Sequence, residues 1–122
     1  MKMIQEQWKF LLDLKRLIEF IEKQKMMVTG GELWRTPEMQ EIYLKEGKSK
    51  TKNSMHLNRL AIDLNFFTVE GEIPINKRER IKPIGDYWES LDERNFWGGS
   101  WRGAIESGKS TWYDLPHFER KI

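Results

Sequence analysis

Between residues 4 and 25, Ile4, Trp8, Leu11, Leu14, Leu17, Ile18 and Ile21 recur at steps of three and four with charges between them, so the segment is predicted to be an amphipathic helix packed on something. Met26-Met27-Val28-Thr29 follows as a short apolar run closed by Gly30-Gly31, and reads as a buried strand. Thr36 then stands where a helix cap belongs and Pro37 at the first helical position, with Met39, Ile42 and Tyr43 supplying an apolar face up to Gly47. Residues 47–54 are polar and lysine-rich without periodicity, which is a surface loop. Residues 60–67 alternate, with Ile62, Leu64 and Phe66 on one side and Ala61, Asp63 and Asn65 on the other, so a strand is expected. Residues 69–75 read as a second strand or hairpin arm, 77–82 as a charged turn, and 84–96 as a helix with Tyr87, Trp88 and Leu91 inward. Trp97-Gly98-Gly99-Ser100-Trp101 is a glycine turn between aromatics, and 111–122 a loop entering a short strand. Helices and strands mix without regular alternation, which predicts an α+β fold: a small antiparallel sheet flanked by helices.

Composition narrows this little. The 122 residues suit one domain, 1–122, with residues 1–25 as an added N-terminal helix. Hydrophobic residues at 39% and charged residues at 33% describe an ordinary folded chain. The 21 basic and 19 acidic side chains leave a net charge of +2, too balanced to signal nucleic acid. Charges interrupt every stretch of the first 25 residues that could span or insert in a membrane, so the chain is expected to be made and kept in the cytoplasm. A monomer is expected.

The absence of cysteine leaves any metal site to nitrogen and oxygen donors. The chain has two histidines, His56 and His117, and an aspartate, Asp63, stranded in the apolar run 60–67. Burying that carboxylate costs several kcal/mol, on the order of 3–5, unless it is paired or bound to a cation. Two imidazoles and a carboxylate suit zinc and leave a fourth position for water. Asp114 lies three residues before His117, across Pro116, and is the candidate general base. Glu119 falls on the same strand face as His117 and can orient its imidazole. Taken singly, each histidine reads as an ordinary hydrogen-bonded residue, and Asp63 as half of an ion pair with Arg59 or Arg35. Trp8 and Trp88 read as core, whereas Trp97 and Trp101 are placed to wall a site. Lys48, Lys50 and Lys52 read as a solvated loop that would also attract carboxylates.

Ser54-x-His56 with Ala61-x-Asp63, then Asp114-x-x-His117-Phe118-Glu119, resembles the zinc peptidase family of D-Ala-D-Ala carboxypeptidases and phage L-alanyl-D-glutamate endopeptidases. The resemblance extends to Val28-Thr29-Gly30-Gly31-Glu32, to Arg35-Thr36-Pro37-Glu38-Met39-Gln40, to Gly47-Lys48-Ser49-Lys50 and to Trp97-Gly98-Gly99-x-Trp101, covering most of the chain after the first helix. It implies zinc held by His56, Asp63 and His117, Asp114 as base, and Arg35 as a substrate contact. Ser54, Gln40, Lys50, Trp97, Trp101 and Glu119 would support the site or touch substrate. The implied fold is that of the hedgehog and D-Ala-D-Ala peptidases. The chain departs from many relatives in carrying Arg59 shortly after the first histidine, where it would narrow the cleft or meet substrate.

The expected function is therefore a zinc peptidase of peptidoglycan stem peptides, an endolysin of phage or prophage type that reaches the wall through a separate membrane pore. Its rivals are a D-Ala-D-Ala carboxypeptidase or dipeptidase, a binding module with an idle zinc, and a nucleic-acid binder using the lysine loop. The last is disfavoured by the small charge excess.

Overall fold

The computed structural model describes residues 2–51 and 53–122, so Lys52 of the lysine loop lies outside the described residues. The chain runs α1 (Met3–Lys23), β1 (Met26–Gly30), α2 (Pro37–Lys45), a single 3-10 turn (Met55–Asn58), β2 (Ala61–Thr68), α3 (Arg78–Leu91), β3 (Asn95–Trp97) and β4 (His117–Arg120). The strands form one antiparallel sheet in the order β1-β2-β4-β3. Helices α1 and α3 touch each other, α1 meets β1 and α3 meets β3. The fold is α+β, as the mixed periodicities predict. Among the described residues no helix is long and apolar enough to cross a membrane.

Helix α1 carries two apolar stripes, and only one faces the core. Phe10, Leu14, Leu17 and Ile21 recur every three or four residues and are buried, while Ile4, Trp8, Leu11 and Ile18 occupy the other side. Trp8 is 60% exposed, so its predicted core position is wrong: a residue two before Phe10 on a helix is turned about 200° away from it. The core assigned to Trp88 is real. It packs edge-on to Phe10 at 5.5 Å and to Phe118 at 6.2 Å, and its indole N–H donates to the Glu119 carbonyl at 3.1 Å. The helix predicted as an addition therefore supplies a central part of the core, joined by Leu60, Leu64, Phe66, Ile81 and Ile84.

Polar bonds lock the same helix to the far end of the chain. Buried Glu6 accepts from Arg120 at 3.0 and 3.1 Å and from Arg94 at 2.9 Å, and buried Asp13 accepts from Lys9 at 2.5 Å and Asn95 at 3.1 Å.

Helix α2 begins where Thr36-Pro37 predicts, and the Thr36 hydroxyl accepts the Met39 N–H at 3.1 Å. Four other expectations need correction. The run 26–29 is not buried: β1 is an edge strand with Met27 and Thr29 exposed. Residues 69–75 make only one bridge, Phe67 to Pro74, because Thr68 closes a tight turn by donating its N–H to Ile73 O at 2.9 Å, with Gly71 and Glu72 at positive φ. The charged turn 77–82 is instead the opening of α3, whose Pro83 falls in the second turn. That helix stops at Leu91 rather than Phe96. The Asp92 carboxylate accepts the Arg94 N–H at 2.8 Å and turns the chain into β3, where the buried Asn95 amide bonds Trp88 O at 3.1 Å.

Candidate active site

Three separate segments deliver the histidines and the aspartate to one place. Ser54 caps the 3-10 turn by accepting the His56 N–H at 3.2 Å, and Arg59 ends it at a left-handed φ of 56°. Asp63 sits in β2 directly across from His117 in β4. Gly31 passes close beside β2, its N–H bonded to Asp63 O at 2.7 Å, where a Cβ would lie 3.1 Å from the Asp63 Cβ.

The outer partners fix the protons. Leu33 O can only accept, so the 3.0 Å contact puts a proton on His56 Nδ1 and turns Nε2 inward. The Glu119 carboxylate oxygen accepts across the 2.7 Å contact, which puts a proton on His117 Nε2 and turns Nδ1 inward. His56 Nε2 and His117 Nδ1 then stand 3.4 and 3.6 Å from Asp63 Oδ1. All three donors lie within 4.8 Å of one another, and His56 Nε2 and Asp63 Oδ1 are buried without a hydrogen bond. Lone pairs converging in a buried place repel unless a cation sits among them. The two shorter separations match the roughly 3.3 Å edge of a tetrahedron with bonds of about 2.0–2.1 Å, so the donor set fits a metal of zinc's size.

Without a metal, a proton takes that cation's place. Burial works to raise the Asp63 pKa, but the imidazoles of His117 and His56 beside it outweigh burial and hold the carboxyl well below its ordinary value. Burial works to lower the His117 pKa, but Asp63 and Glu119 outweigh it and push it up to about 9. Asp114 goes the other way. Burial raises its pKa, and the negative charge of Asp63 adds to this against the opposing pull of His117. Its backbone is pinned by Asp114 N–H to Gly98 O at 2.9 Å and by Gly98 N–H to His117 O at 2.8 Å. A Cβ on Gly98 would come within 2.3 Å of Asp114 O, so only glycine permits this approach.

A cleft of about 340 Å³ opens here, lined by Arg35, Lys50, Ser54, His56, Asp114, His117, Glu119 and Trp101 among others. The ion pairs considered for Asp63 do not form. Arg35 is buried beneath the Tyr43 ring, bonded to Glu32 and to Gln40 Oε1 at 2.6 Å, and Arg59 lies over the Trp34 ring rather than at the cleft. Gln40 is not at the surface of the cleft but behind it, donating to Ser49 Oγ at 2.8 Å and Thr51 O at 2.6 Å and so tying the lysine loop to Arg35. Trp97 does not wall the site. It is fully buried, its indole Nε1–H donating to Leu115 O at 2.8 Å and its ring filling the space left by Gly85 and Gly99. The wall is Trp101, with its ring 5.4 Å from that of His117, and Trp112, which sequence reasoning missed. Its signal was present in Trp112-x-Asp114, an aromatic two residues before the candidate base.

A cation-ready donor set beside a half-buried carboxylate, in an open cleft, is the equipment of a hydrolase. Residues 47–120 match the D-alanyl-D-alanine carboxypeptidase family, and the chain belongs to that peptidase family. Its fold is similar to that in the crystal structure of the Serratia marcescens L-Ala D-Glu endopeptidase ChiX, with a TM-score of 0.64 and 22% identity over 89% of this chain and 78% of that one. No curated protein matches it across the sequence.

Proposed function

We propose that the chain is a zinc-dependent peptidoglycan peptidase that cuts the L-alanyl-D-glutamate bond of the stem peptide, as a phage or prophage endolysin would. The observation that carries this reading is the meeting of His56 Nε2, Asp63 Oδ1 and His117 Nδ1, with two of the three atoms buried and unbonded. These residues would hold the metal. Zinc, when bound, supplies a Lewis acid for the scissile carbonyl and lowers the pKa of the attacking water.

The remaining work belongs to the chain's own residues. Asp114 accepts the proton of the attacking water at its carboxylate and passes it to the leaving amine, and its raised pKa suits both halves of that transfer. Glu119 holds the His117 ring in orientation. Arg35, clamped by Glu32 and Gln40, holds a substrate carboxylate or the developing oxyanion. The endopeptidase named among the similar structures supports the L-alanyl-D-glutamate bond. The family description supports the alternative, removal of the terminal D-alanine.

The test combines metal analysis of the purified protein with digestion of peptidoglycan, with and without a chelator. Zinc near one equivalent and fragments with a new N-terminal D-glutamate are expected. Released D-alanine in their place would decide for the carboxypeptidase, and protein that takes up no zinc would end the proposal.

A further inference from the structure

Trp101 and Trp112 lie parallel, with ring centroids 5.8 Å apart and planes 9° from one another, and both line the cleft. Trp112 is still 37% exposed, so the pair presents indole surface to solvent and is not a piece of core. Trp101 also holds a backbone conformation that a bulky side chain rarely takes, φ 45°, followed by Arg102 at 56° and Gly103 at 90°. Its surroundings enforce this. The Trp101 N–H donates to Trp97 O at 2.9 Å and the Arg102 N–H to Ser100 Oγ at 3.1 Å, and the Ser100 hydroxyl is held by Glu89 at 3.0 Å. The Arg102 guanidinium donates to Asn95 O at 2.9 Å. Strain kept in place by so many bonds beside a reacting centre points to a side chain that has to stand there.

A different segment of the cleft is cationic, formed by Lys48 and Lys50. The peptide bond assigned under the proposed function has the same asymmetry. Its D-glutamate side is anionic, and its L-alanine is joined to the lactyl group of a neutral N-acetylmuramyl sugar. A pyranose face is a sheet of C–H groups that settles on the electron-rich face of an indole. We propose that Trp101 and Trp112 form a sugar platform that takes the N-acetylmuramyl residue carrying the stem peptide, while the lysine loop faces the anionic peptide. This rests on the endopeptidase reading, since a cut at the D-alanine end lies far from the glycan. It makes the enzyme prefer glycan-borne peptides over free ones.

The experiment is calorimetric titration of the zinc-loaded chain with N-acetylmuramyl-L-alanine and with N-acetyl-L-alanine, neither of which can be cleaved. The muramyl ligand is expected to bind about tenfold more tightly, and Trp112→Leu to bring that ratio near one with circular dichroism unchanged. Trp112→Phe keeps an aromatic face and should retain part of the preference. Equal affinities in the unaltered chain, or a ratio that survives Trp112→Leu, would overturn the platform. Turnover of muramyl pentapeptide separates the two readings: new D-glutamate termini with equal affinities for the two ligands would overturn the platform alone, whereas no such terminus would remove the endopeptidase reading and the platform with it.

Discussion

Glu119→Ala isolates the contribution of a residue that would never touch the metal. Glu119 is 6% exposed, and its Oε1 accepts from His117 Nε2 at 2.7 Å, so the bond is short, charge-assisted and shielded from water. Such bonds contribute about 1.5–3 kcal/mol. Loss of an outer partner of a metal-binding histidine weakens affinity roughly 10–100-fold, or about 1.4–2.8 kcal/mol, and the two ranges agree. The strand should survive, because Trp88 grips the Glu119 backbone carbonyl and not its side chain. Competition against a chromophoric chelator at neutral pH should therefore show zinc affinity falling by one to two orders of magnitude. Glu119→Gln keeps an accepting oxygen without the charge, and should lose only a few-fold. Zinc affinity of Glu119→Ala within twofold of the unaltered chain would refute the reasoning that the carboxylate sets the His117 proton and hence its donor atom.

Asp114→Asn should keep zinc by elemental analysis while kcat falls about 10²–10⁴-fold; normal turnover would remove Asp114 as the base. Gly85→Ala drives a Cβ to within 2.2 Å of the Trp97 ring, and overpacking of this kind costs about 1–3 kcal/mol, read as a lower denaturation midpoint. Asp92 gives a pH signature in the metal-free protein. Burial works to raise its pKa, but the Arg94 N–H and the Arg120 guanidinium outweigh it, so the folded value lies below the ordinary 3.8. Its contribution is then fully present above pH 3.8 and lost as the pH falls through the folded value. The melting temperatures of Asp92→Asn and the unaltered chain should accordingly differ at pH 6 and converge as the pH falls below 3.8 and through the folded value, and a gap that is constant with pH would contradict this.

Much of this was legible because the informative residues are scarce. Only two histidines exist, and Asp63 interrupts an apolar strand, so the three could be nominated without knowing the pairing that sets Asp63 opposite His117. The start of α2 was legible from the local chemistry of Thr36-Pro37. What failed depends on information that no local window holds. Helix α1 has two apolar stripes, and which one is covered is decided by α3 and the sheet, so Trp8 and Phe10 could not be told apart. The tryptophans around Gly98-Gly99 look alike in sequence. Trp97 is drawn inward by the missing side chains of Gly85 and Gly99, while Trp101 is turned outward by a left-handed backbone. Residues 92–96 looked helical by spacing, and the Asp92 side chain broke the helix by a bond that spacing cannot show.

The bond between Glu6 and Arg120 joins positions 114 apart in the chain. Its consequence lies in the timing of synthesis. Helix α1 is made before the segments that complete it: buried Glu6 meets Arg94 and Arg120, and Asp13 meets Asn95, only after those later residues exist. His117 and Glu119 are on β4, so the donor triangle closes only once β4 has been made and has paired with β2, more than fifty residues after Asp63.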